Sequence, residues 1–138
     1  MAETKRPLPT FPEPDTHPFW EATKQHELRC QVCDDCASVV FHPRRHCPHC
    51  MSLKLSWKTS KGEGTIYTYT VIRQIGLPAF RDRVPYVVAW IDLDEGFRML
   101  SNVVVGNGDV ESIRIGQRVR VTLEDQEGGI ALPLFTPT

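Results

Sequence analysis

Residues 33–50 read CDDCASVVFHPRRHCPHC, in which two pairs of cysteines each enclose two residues. A C-x2-C spacing lets one tight turn aim both sulfurs at a single ion, and two such hooks complete a tetrahedral shell. Four thiolates leave no open coordination position, which is typical of a structural Zn(II) site rather than a catalytic one. The sequence therefore predicts one structural zinc per chain, with these ligands: Cys33, Cys36, Cys47 and Cys50.

Alternatives for this site come from neighbouring residues and from another metal. Cys30 also has C-x2-C spacing with Cys33, but small residues follow Cys36, as a turn requires, so we assign Cys33 and Cys36 to the first hook. Cys30 is then interpreted as a small buried side chain, and its use as a substitute ligand is the alternative. A histidine replacing a thiolate is a further alternative; the nearby ones are His42, His46 and His49. Iron in a rubredoxin-like site would use the same four sulfurs.

Length and charge limit the classes of protein. The chain has 138 residues, enough for one ordinary core or for a small module joined to a compact domain. Lys and Arg total 16 and Asp and Glu total 17, so the net charge of −1 gives no general attraction for nucleic acid. The first residues show no apolar leader, and the longest apolar run, residues 86–91, is too short to cross a bilayer. We therefore expect a soluble, cytoplasmic protein without a membrane segment.

Residues 1–27 are predicted to form a Pro-rich tail and a short docking helix. Prolines at positions 7, 9, 12 and 14 disfavour independent folding of the tail. Residues 9–12 have the PxxP spacing of some docking ligands, but this spacing is common and is interpreted as linker. Asp15 or Thr16 can cap a helix that ends near Glu27.

Two large aromatic residues, Phe19 and Trp20, are adjacent in this helix. Adjacent side chains point about 100° apart around a helix, so one small core is not expected to bury both rings. Both are therefore candidate docking residues for a partner protein. The alternative is that this chain covers both rings itself.

After the ribbon, the pattern changes to the alternation of strands. Five segments are separated by turn residues, and they are 65–73, 85–93, 97–105, 118–123 and 130–135. Five strands with irregular chain between the third and fourth fit a small closed barrel of the OB type. The predicted fold is mainly β, with a short N-terminal helix, a rubredoxin-like zinc ribbon over residues 28–57 and a five-stranded OB-fold barrel over residues 58–138.

Several short motifs, taken in order, resemble one family. They are residues 18–21, 41–44, 47–50, 85–89, 92–96 and 132–135. Their order resembles the zinc-ribbon plus OB-fold proteins associated with acyl-CoA enzymes, first catalogued as a domain of unknown function. The resemblance implies the same four cysteine ligands and leaves Cys30 outside them. Ala37 and Met51 depart from the pattern, because similar proteins have glycines after the zinc hooks, where positive φ is common.

The resemblance also implies a function. Members of this family form hetero-oligomers with thiolase-fold partners, including thiolases, condensing enzymes and aldolases, and help hold, bridge or gate CoA thioesters. It therefore implies a noncatalytic accessory subunit here, with a CoA thioester shared with the partner. The candidate contacts for CoA phosphates are Arg44, Arg45, Arg81 and Arg83. The alternative for each arginine cluster is a solvated loop.

No catalytic residue is assigned, because the sequence contains no Gly-rich phosphate loop, no G-x-S-x-G elbow and no H-E-x-x-H motif. Cys30 as a lone nucleophile is a weaker alternative. Acid or base roles are conceivable for Asp92, Asp94 and Glu95, but acids beside Gly96 are usually a solvated turn. The competing function is a nucleic-acid-binding OB module, whose base-stacking residues would be Tyr67, Tyr69 and Trp90.

Overall fold

The computed structural model describes residues 6–9 and 13–138. This part of the chain contains one α-helix, α1 (His17–Thr23), and eight strands. The strands are β1 (Arg29–Cys33), β2 (Val39–Val40), β3 (Leu55–Thr59), β4 (Glu63–Ile72), β5 (Tyr86–Leu93), β6 (Arg98–Val103), β7 (Arg118–Asp125) and β8 (Ala131–Pro137). The first three form a sheet in the order β2-β1-β3, and the other five close into a barrel in the order β4-β5-β6-β8-β7. The predicted mainly β fold, with a short helix, a zinc ribbon and a five-stranded OB-like barrel, is confirmed.

The barrel closes through one short contact. Its neighbouring strands pair antiparallel except β6 and β8, which pair in parallel at Val103 and Phe135. Short 3-10 turns lie in two of its connections, Pro78–Arg83 before β5 and Val110–Ser112 between β6 and β7. The irregular chain predicted between the third and fourth barrel strands is the second of these connections.

The alternation of β5 shows how the sequence fills the barrel. Its four inward residues, Val87, Ala89, Ile91 and Leu93, are buried. The residues between them face outward, as the two-residue period of a strand requires. The fully buried Phe135 of β8 belongs to the same core.

One aromatic series joins the three parts of the chain. Phe19 of α1 meets Phe41 of the ribbon edge to face, with ring centroids 5.8 Å apart. Phe41 in turn stacks on Phe97 of the barrel, with centroids 4.7 Å apart. The helix and the inner face of the ribbon are therefore part of the barrel core.

Helix α1 ends earlier than the expected position near Glu27 because a backbone cap closes it. The amide of Glu27 donates to the carbonyl of Ala22, and the amide of His26 donates to that of Thr23. His26 has a φ of 58°. These are the two hydrogen bonds and the left-handed residue of a Schellman cap. Thr16 is the N-cap residue, but its side chain makes no capping hydrogen bond.

The joint between ribbon and barrel is held by Glu95, in the turn between β5 and β6. Its carboxylate accepts hydrogen bonds from the Ser60 hydroxyl at 2.7 Å and the Lys61 amide at 2.9 Å. Gly62 has a φ of 72°, and a Cβ there would lie 2.1 Å from Cγ1 of Val121. The chain can therefore turn into β4 at this point only with glycine. The predicted division at residue 57 falls inside β3, which belongs to the ribbon sheet.

Within the described residues, no helix is both long enough and apolar enough to span a membrane. Of the PxxP stretch over residues 9–12, residues 10–12 lie outside the described part of the chain, as do residues 1–5 of the predicted tail.

Candidate metal centre

The structure brings together the four cysteines that the sequence assigns as ligands, Cys33, Cys36, Cys47 and Cys50. Their Sγ atoms all lie within 4.8 Å of one another. Two of the cross-hook distances are 3.5 Å, from Cys33 to Cys50, and 3.7 Å, from Cys36 to Cys47. A tetrahedral zinc with Zn–S bonds of about 2.3 Å would place its sulfurs about 3.8 Å apart. The donor set and its spacing therefore fit a Zn(II) ion.

The two hooks have the same backbone design. In the first hook, the Ala37 amide donates to the Cys33 carbonyl, and the Cys33 amide donates to the Ser38 carbonyl, both at 2.9 Å. In the second, the Met51 amide donates to the Cys47 carbonyl at 2.9 Å, and a matching bond joins Cys47 to Ser52. Each hook thus forms a closed turn that fixes the direction of its sulfurs.

Both hooks contain a non-glycine residue in the left-handed region. The φ of Ala37 is 63° and that of Met51 is 65°. These are the two positions where the sequence departs from the glycines of similar proteins, and the expected positive φ is present at both. An L-residue in this conformation costs roughly 1–2 kcal/mol relative to the right-handed one. The turns are therefore slightly strained.

Two thiols of this cluster, Cys36 and Cys50, have pKa values shifted in opposite directions. A hydrogen bond with the Ser38 hydroxyl lowers the pKa of Cys36 to about 6. The pKa of Cys50 is raised to about 12. A hydrogen bond from the Ser52 backbone favours the Cys50 thiolate, but burial and the hydrogen bonds with the neighbouring cysteines favour the thiol and together outweigh it. A divalent cation at the centre would favour the thiolate form of the cysteines that bind it.

Aspartates inside the first hook tie it to the chain that follows the second. Asp34 accepts from the Ser56 hydroxyl at 2.8 Å, and Asp35 accepts from the Ser52 hydroxyl at 2.5 Å. Gln31, which is 5% exposed, exchanges two hydrogen bonds with the backbone of Arg44, at 2.8 and 2.9 Å. The sequence alone could not show these supporting contacts, because their partners lie 13 to 22 residues away along the chain.

Cys30 lies on the other face of β1. It is three residues from Cys33, and an odd separation puts two strand residues on opposite faces. Cys30 is 1% exposed and belongs to the barrel core, whereas Cys33 packs with Val40 and Cys47. Burial, followed by the charge of Glu95, raises the pKa of Cys30 to about 11. These observations fit a buried small side chain and argue against a ligand or a nucleophile.

The three histidines near the hooks lie outside the cluster of ligand atoms. His42, His46 and His49 are all exposed. Among the described residues, the group that could hold a metal consists of the four cysteines.

The four candidate arginines lie on two different loops. Arg44 and Arg45 are exposed on the ribbon loop between the hooks, and Arg81 and Arg83 are exposed on the 3-10 turn before β5. Arg83 lies 3.9 Å from Glu124 and lines a pocket. The side chain of Arg81 has no hydrogen bond or ion pair with any described residue, and it does not line that pocket.

The structure corrects the docking role expected for Phe19. Its ring is 6% exposed, because Phe41 of the ribbon covers the side that α1 alone could not bury. Phe19 is therefore a core residue and cannot serve as a docking anchor in this fold. Trp20 is half-buried, with its ring edge-on to Phe19 at 5.0 Å, and part of it faces solvent.

The three acidic residues at the end of β5 and in the turn after it all form ion pairs or hydrogen bonds with other parts of the chain. Asp92 pairs with Arg98 at 2.6 Å, and Asp94 pairs with Arg118 at 2.7 Å. The hydrogen bond from Arg118 lowers the pKa of Asp94. Together with Glu95 at the ribbon joint, these acids stabilise the turn. Such a structural role is consistent with their interpretation as turn residues rather than as an acid or a base.

The three candidate stacking residues do not form one free surface. The guanidinium of Arg98 lies over the Tyr67 ring, 3.5 Å from its centroid. Tyr69 is half-buried and its hydroxyl donates to the Ile113 carbonyl at 3.0 Å. Trp90 is 38% exposed on the outer face of β5.

Two family descriptions match consecutive parts of the chain. Residues 20–56 match the rubredoxin-like zinc ribbon domain of ChsH2. Residues 57–124 match the C-terminal OB-fold domain of ChsH2.

Similar proteins bear two kinds of name. The chain is 37% identical over 120 residues to a protein of Thermomonospora curvata named probable enoyl-CoA hydratase alpha subunit, covering 86% of this chain and 36% of that protein. It is 35% identical over 112 residues to a DUF35 domain-containing scaffold protein of Methanothermobacter thermautotrophicus, covering 78% of this chain and 82% of that protein. The chain thus spans about a third of the first relative and most of the second.

A solved structure has the same architecture over nearly its whole length. It is described as Ltp2-ChsH2(DUF35) aldolase, and its matching chain is 33% identical with a TM-score of 0.83. The match covers 94% of this chain and 98% of that chain.

Proposed function

This chain belongs to the ChsH2 and DUF35 family of zinc-ribbon and OB-fold proteins, and we propose that it is a noncatalytic, zinc-binding subunit of a thiolase-type acyl-CoA complex. The resemblance inferred from its short motifs is confirmed. In the proposed complex, a thiolase-fold enzyme supplies the nucleophilic cysteine and the acid and base groups. The present chain helps to assemble that enzyme and to position or gate its CoA thioester.

The observation that carries this proposal is the match to the aldolase structure, which extends over 98% of the matching chain. The description of that structure places a DUF35 chain together with an aldolase, and a relative of similar length is named a scaffold protein. Both support a partner-dependent role. Two relatives carry CoA in their names, but this chain spans only 36% and 34% of their lengths.

The proposed zinc has a structural role. Bound to the four cysteines, it would crosslink the two hooks and leave no coordination position for a substrate. Among the residues that the structure describes, the ribbon's own buried cluster consists of Cys33, Val40 and Cys47, with Leu55 packed against it. Because this cluster is too small to stabilise the folded hooks, the metal would supply most of their stability.

The proposed CoA contacts are the two arginine clusters. Arg44 and Arg45 on the ribbon loop, and Arg81 and Arg83 before β5, are exposed cations of the kind that binds phosphate. Of these, Arg83 has an apolar and aromatic wall beside it. A CoA thioester held partly here and partly by the partner fits this distribution.

Trp20 is the proposed docking residue of the helix. Its ring is packed on the core on one side and open on the other. Large aromatic residues of this kind are frequent hot spots of protein interfaces. The Phe19 ring beneath it would keep Trp20 in one orientation.

Turnover measurements test the proposal. The zinc-loaded chain is assayed for thiolysis, retro-aldol cleavage and thioester hydrolysis, alone and then with a thiolase-fold enzyme that co-purifies with it. Activity is expected only in the mixture, because nothing in the described part of the chain assembles a nucleophile, a base and oxyanion donors. Thioester cleavage by the pure chain that is lost in Cys30→Ala would contradict the noncatalytic role.

Salt dependence separates the proposal from the nucleic-acid alternative. Binding to nucleic acid weakens steeply with added salt, since it releases counterions from phosphates. Docking through Trp20 and apolar strand surface is expected to change little over the same range. Tight, salt-sensitive binding of oligonucleotides by the chain would favour the alternative.

A further inference from the structure

A pocket of about 260 Å³ opens on the barrel, away from the four cysteines. It lies where the 3-10 turn before β5 meets the chain after β6. Its walls are mainly apolar and aromatic, and they include Phe80, Tyr86, Val104, Val110 and Leu134. The Phe80 and Tyr86 rings lie 5.8 Å apart and form one side.

Two guanidinium groups line this pocket, from Arg6 and Arg83. In the described part of the chain, the lining contains no Asp or Glu, and the acid beside it, Glu124, lies 3.9 Å from Arg83. The site thus has two positive charges and one neighbouring acid. An apolar cavity with convergent cations is the usual form of a site for an organic anion.

Arg6 has an unusual environment for a cation. Its guanidinium lies over the Phe80 ring, 5.3 Å from the centroid. Its Nε is buried and has no hydrogen-bond partner among the described residues. Burial, and then repulsion from Arg83, lower the pKa of Arg6. A buried donor without a partner is unfavourable, and a bound acceptor would satisfy it.

We propose that this pocket binds a small organic anion, whose phosphate or carboxylate is held by Arg6 and Arg83 and whose flat, unsaturated body lies against Phe80 and Tyr86. Arginine is suited to this task, because its planar group binds oxyanions in a bidentate manner and also stacks on aromatic rings. The inference deepens the proposed function by adding Arg6 and this pocket to the candidate contact Arg83. It rests on that function only for the choice of a CoA-type nucleotide as one ligand.

Calorimetric titration of the full zinc-loaded chain tests this proposal with three probes. They are adenosine 3′,5′-bisphosphate, 2-naphthoate and inorganic phosphate. At least one organic probe is expected to bind about tenfold or more tightly than inorganic phosphate, because only the organic probes contact the aromatic wall. Binding of the nucleotide alone identifies a CoA-type ligand, and binding of the naphthoate alone identifies an aromatic acid; both support the pocket.

Matched variants locate the binding. Arg6→Gln and Arg83→Gln are each expected to weaken the bound organic probe about tenfold or more, since each removes a charge-assisted contact. Arg120→Gln is the control, because Arg120 is an exposed arginine of β7 that does not line the pocket, and it should change affinity by less than about twofold. Phe80→Leu should weaken the organic probe and leave inorganic phosphate unaffected.

Several results would overturn the proposal. The first is that neither organic probe binds at millimolar concentration, and the second is that neither binds more tightly than inorganic phosphate. The others are unchanged binding in Arg6→Gln or Arg83→Gln, or an equal loss of affinity in the Arg120→Gln control. Melting curves verify that each variant is folded. If Arg83→Gln is not folded, Arg83→Lys is used in its place. Partner association is a separate measurement, so failure here is distinguishable from failure of the proposed function.

Discussion

Replacing Cys47 by serine should remove the metal and unfold the hooks while the barrel stays folded. Among the described residues, the ribbon's own cluster offers one buried aliphatic side chain, Val40, and a partly buried one, Leu55. Burying both stabilises by about 3–6 kcal/mol at most, at about 1.5–3 kcal/mol for each side chain. A structural zinc contributes about 10–16 kcal/mol in comparable sites. The metal therefore stabilises the hooks more than their apolar packing does, and loss of one thiolate should abolish the order of both hooks.

Metal analysis and hydrogen exchange together provide the assay. The wild-type chain should contain one zinc, and Cys47→Ser close to none. The amides of Ala37 and Met51, which close the two hooks, should lose their protection. The amides of β4–β8 should keep theirs, because these strands pair with one another and their core residues do not belong to the hook cluster.

Cys30→Ser is the matched control, since it makes the same sulfur-to-oxygen change in the barrel core. It should keep the zinc and lower the stability of the barrel instead. Loss of zinc in Cys30→Ser together with full zinc in Cys36→Ser would show that the hook assignment is wrong. Iron with a reversible one-electron wave in freshly purified protein would instead indicate a rubredoxin-like centre.

Three further substitutions test individual residues. Phe19→Ala should lower the free energy of unfolding of the isolated chain by about 3–5 kcal/mol in chemical denaturation, because it leaves a cavity in the core; an unchanged midpoint would mean that Phe19 is not core. Ala37→Gly should raise that free energy by about 0.5–1 kcal/mol in the same assay, since glycine adopts positive φ without strain, and a loss of stability would contradict the strained turn. Trp20→Ala should weaken association with the thiolase-fold partner about 30-fold or more, as measured by surface plasmon resonance. Unchanged affinity together with a lowered melting temperature of the isolated chain would make Trp20 an ordinary core residue and place the interface elsewhere.

The metal ligands and the barrel could be predicted from the sequence because both depend on local spacing. The C-x2-C hooks are turns of a few residues, and the alternation of β5 follows from the two-residue period of a strand. The positive φ of Ala37 and Met51 was likewise expected from their position after each hook. These features need no knowledge of distant residues.

The features that were missed depend on contacts between distant segments. The burial of Phe19 could not be inferred from α1 alone, because Phe41 supplies the cover from the ribbon. Glu95 was interpreted as part of a solvated turn, yet it accepts hydrogen bonds from residues 34 and 35 positions earlier. Arg6 gave no local signal at all, since its pocket is built mainly from the 3-10 turn before β5 and from the chain at and after the end of β6, which lie far from Arg6 in the sequence. The helix end was missed because His26 adopts a left-handed conformation that glycine usually provides.

Co-purification of the tagged, full-length chain from its own cells, followed by native mass spectrometry, tests the proposed role as a complex subunit. The proposal predicts a hetero-oligomer of defined stoichiometry that contains a thiolase-fold enzyme and one zinc for each copy of this chain. Addition of salt should leave the complex intact. A chain recovered without an enzyme partner, or recovered with nucleic acid that dissociates as salt is raised, would contradict it.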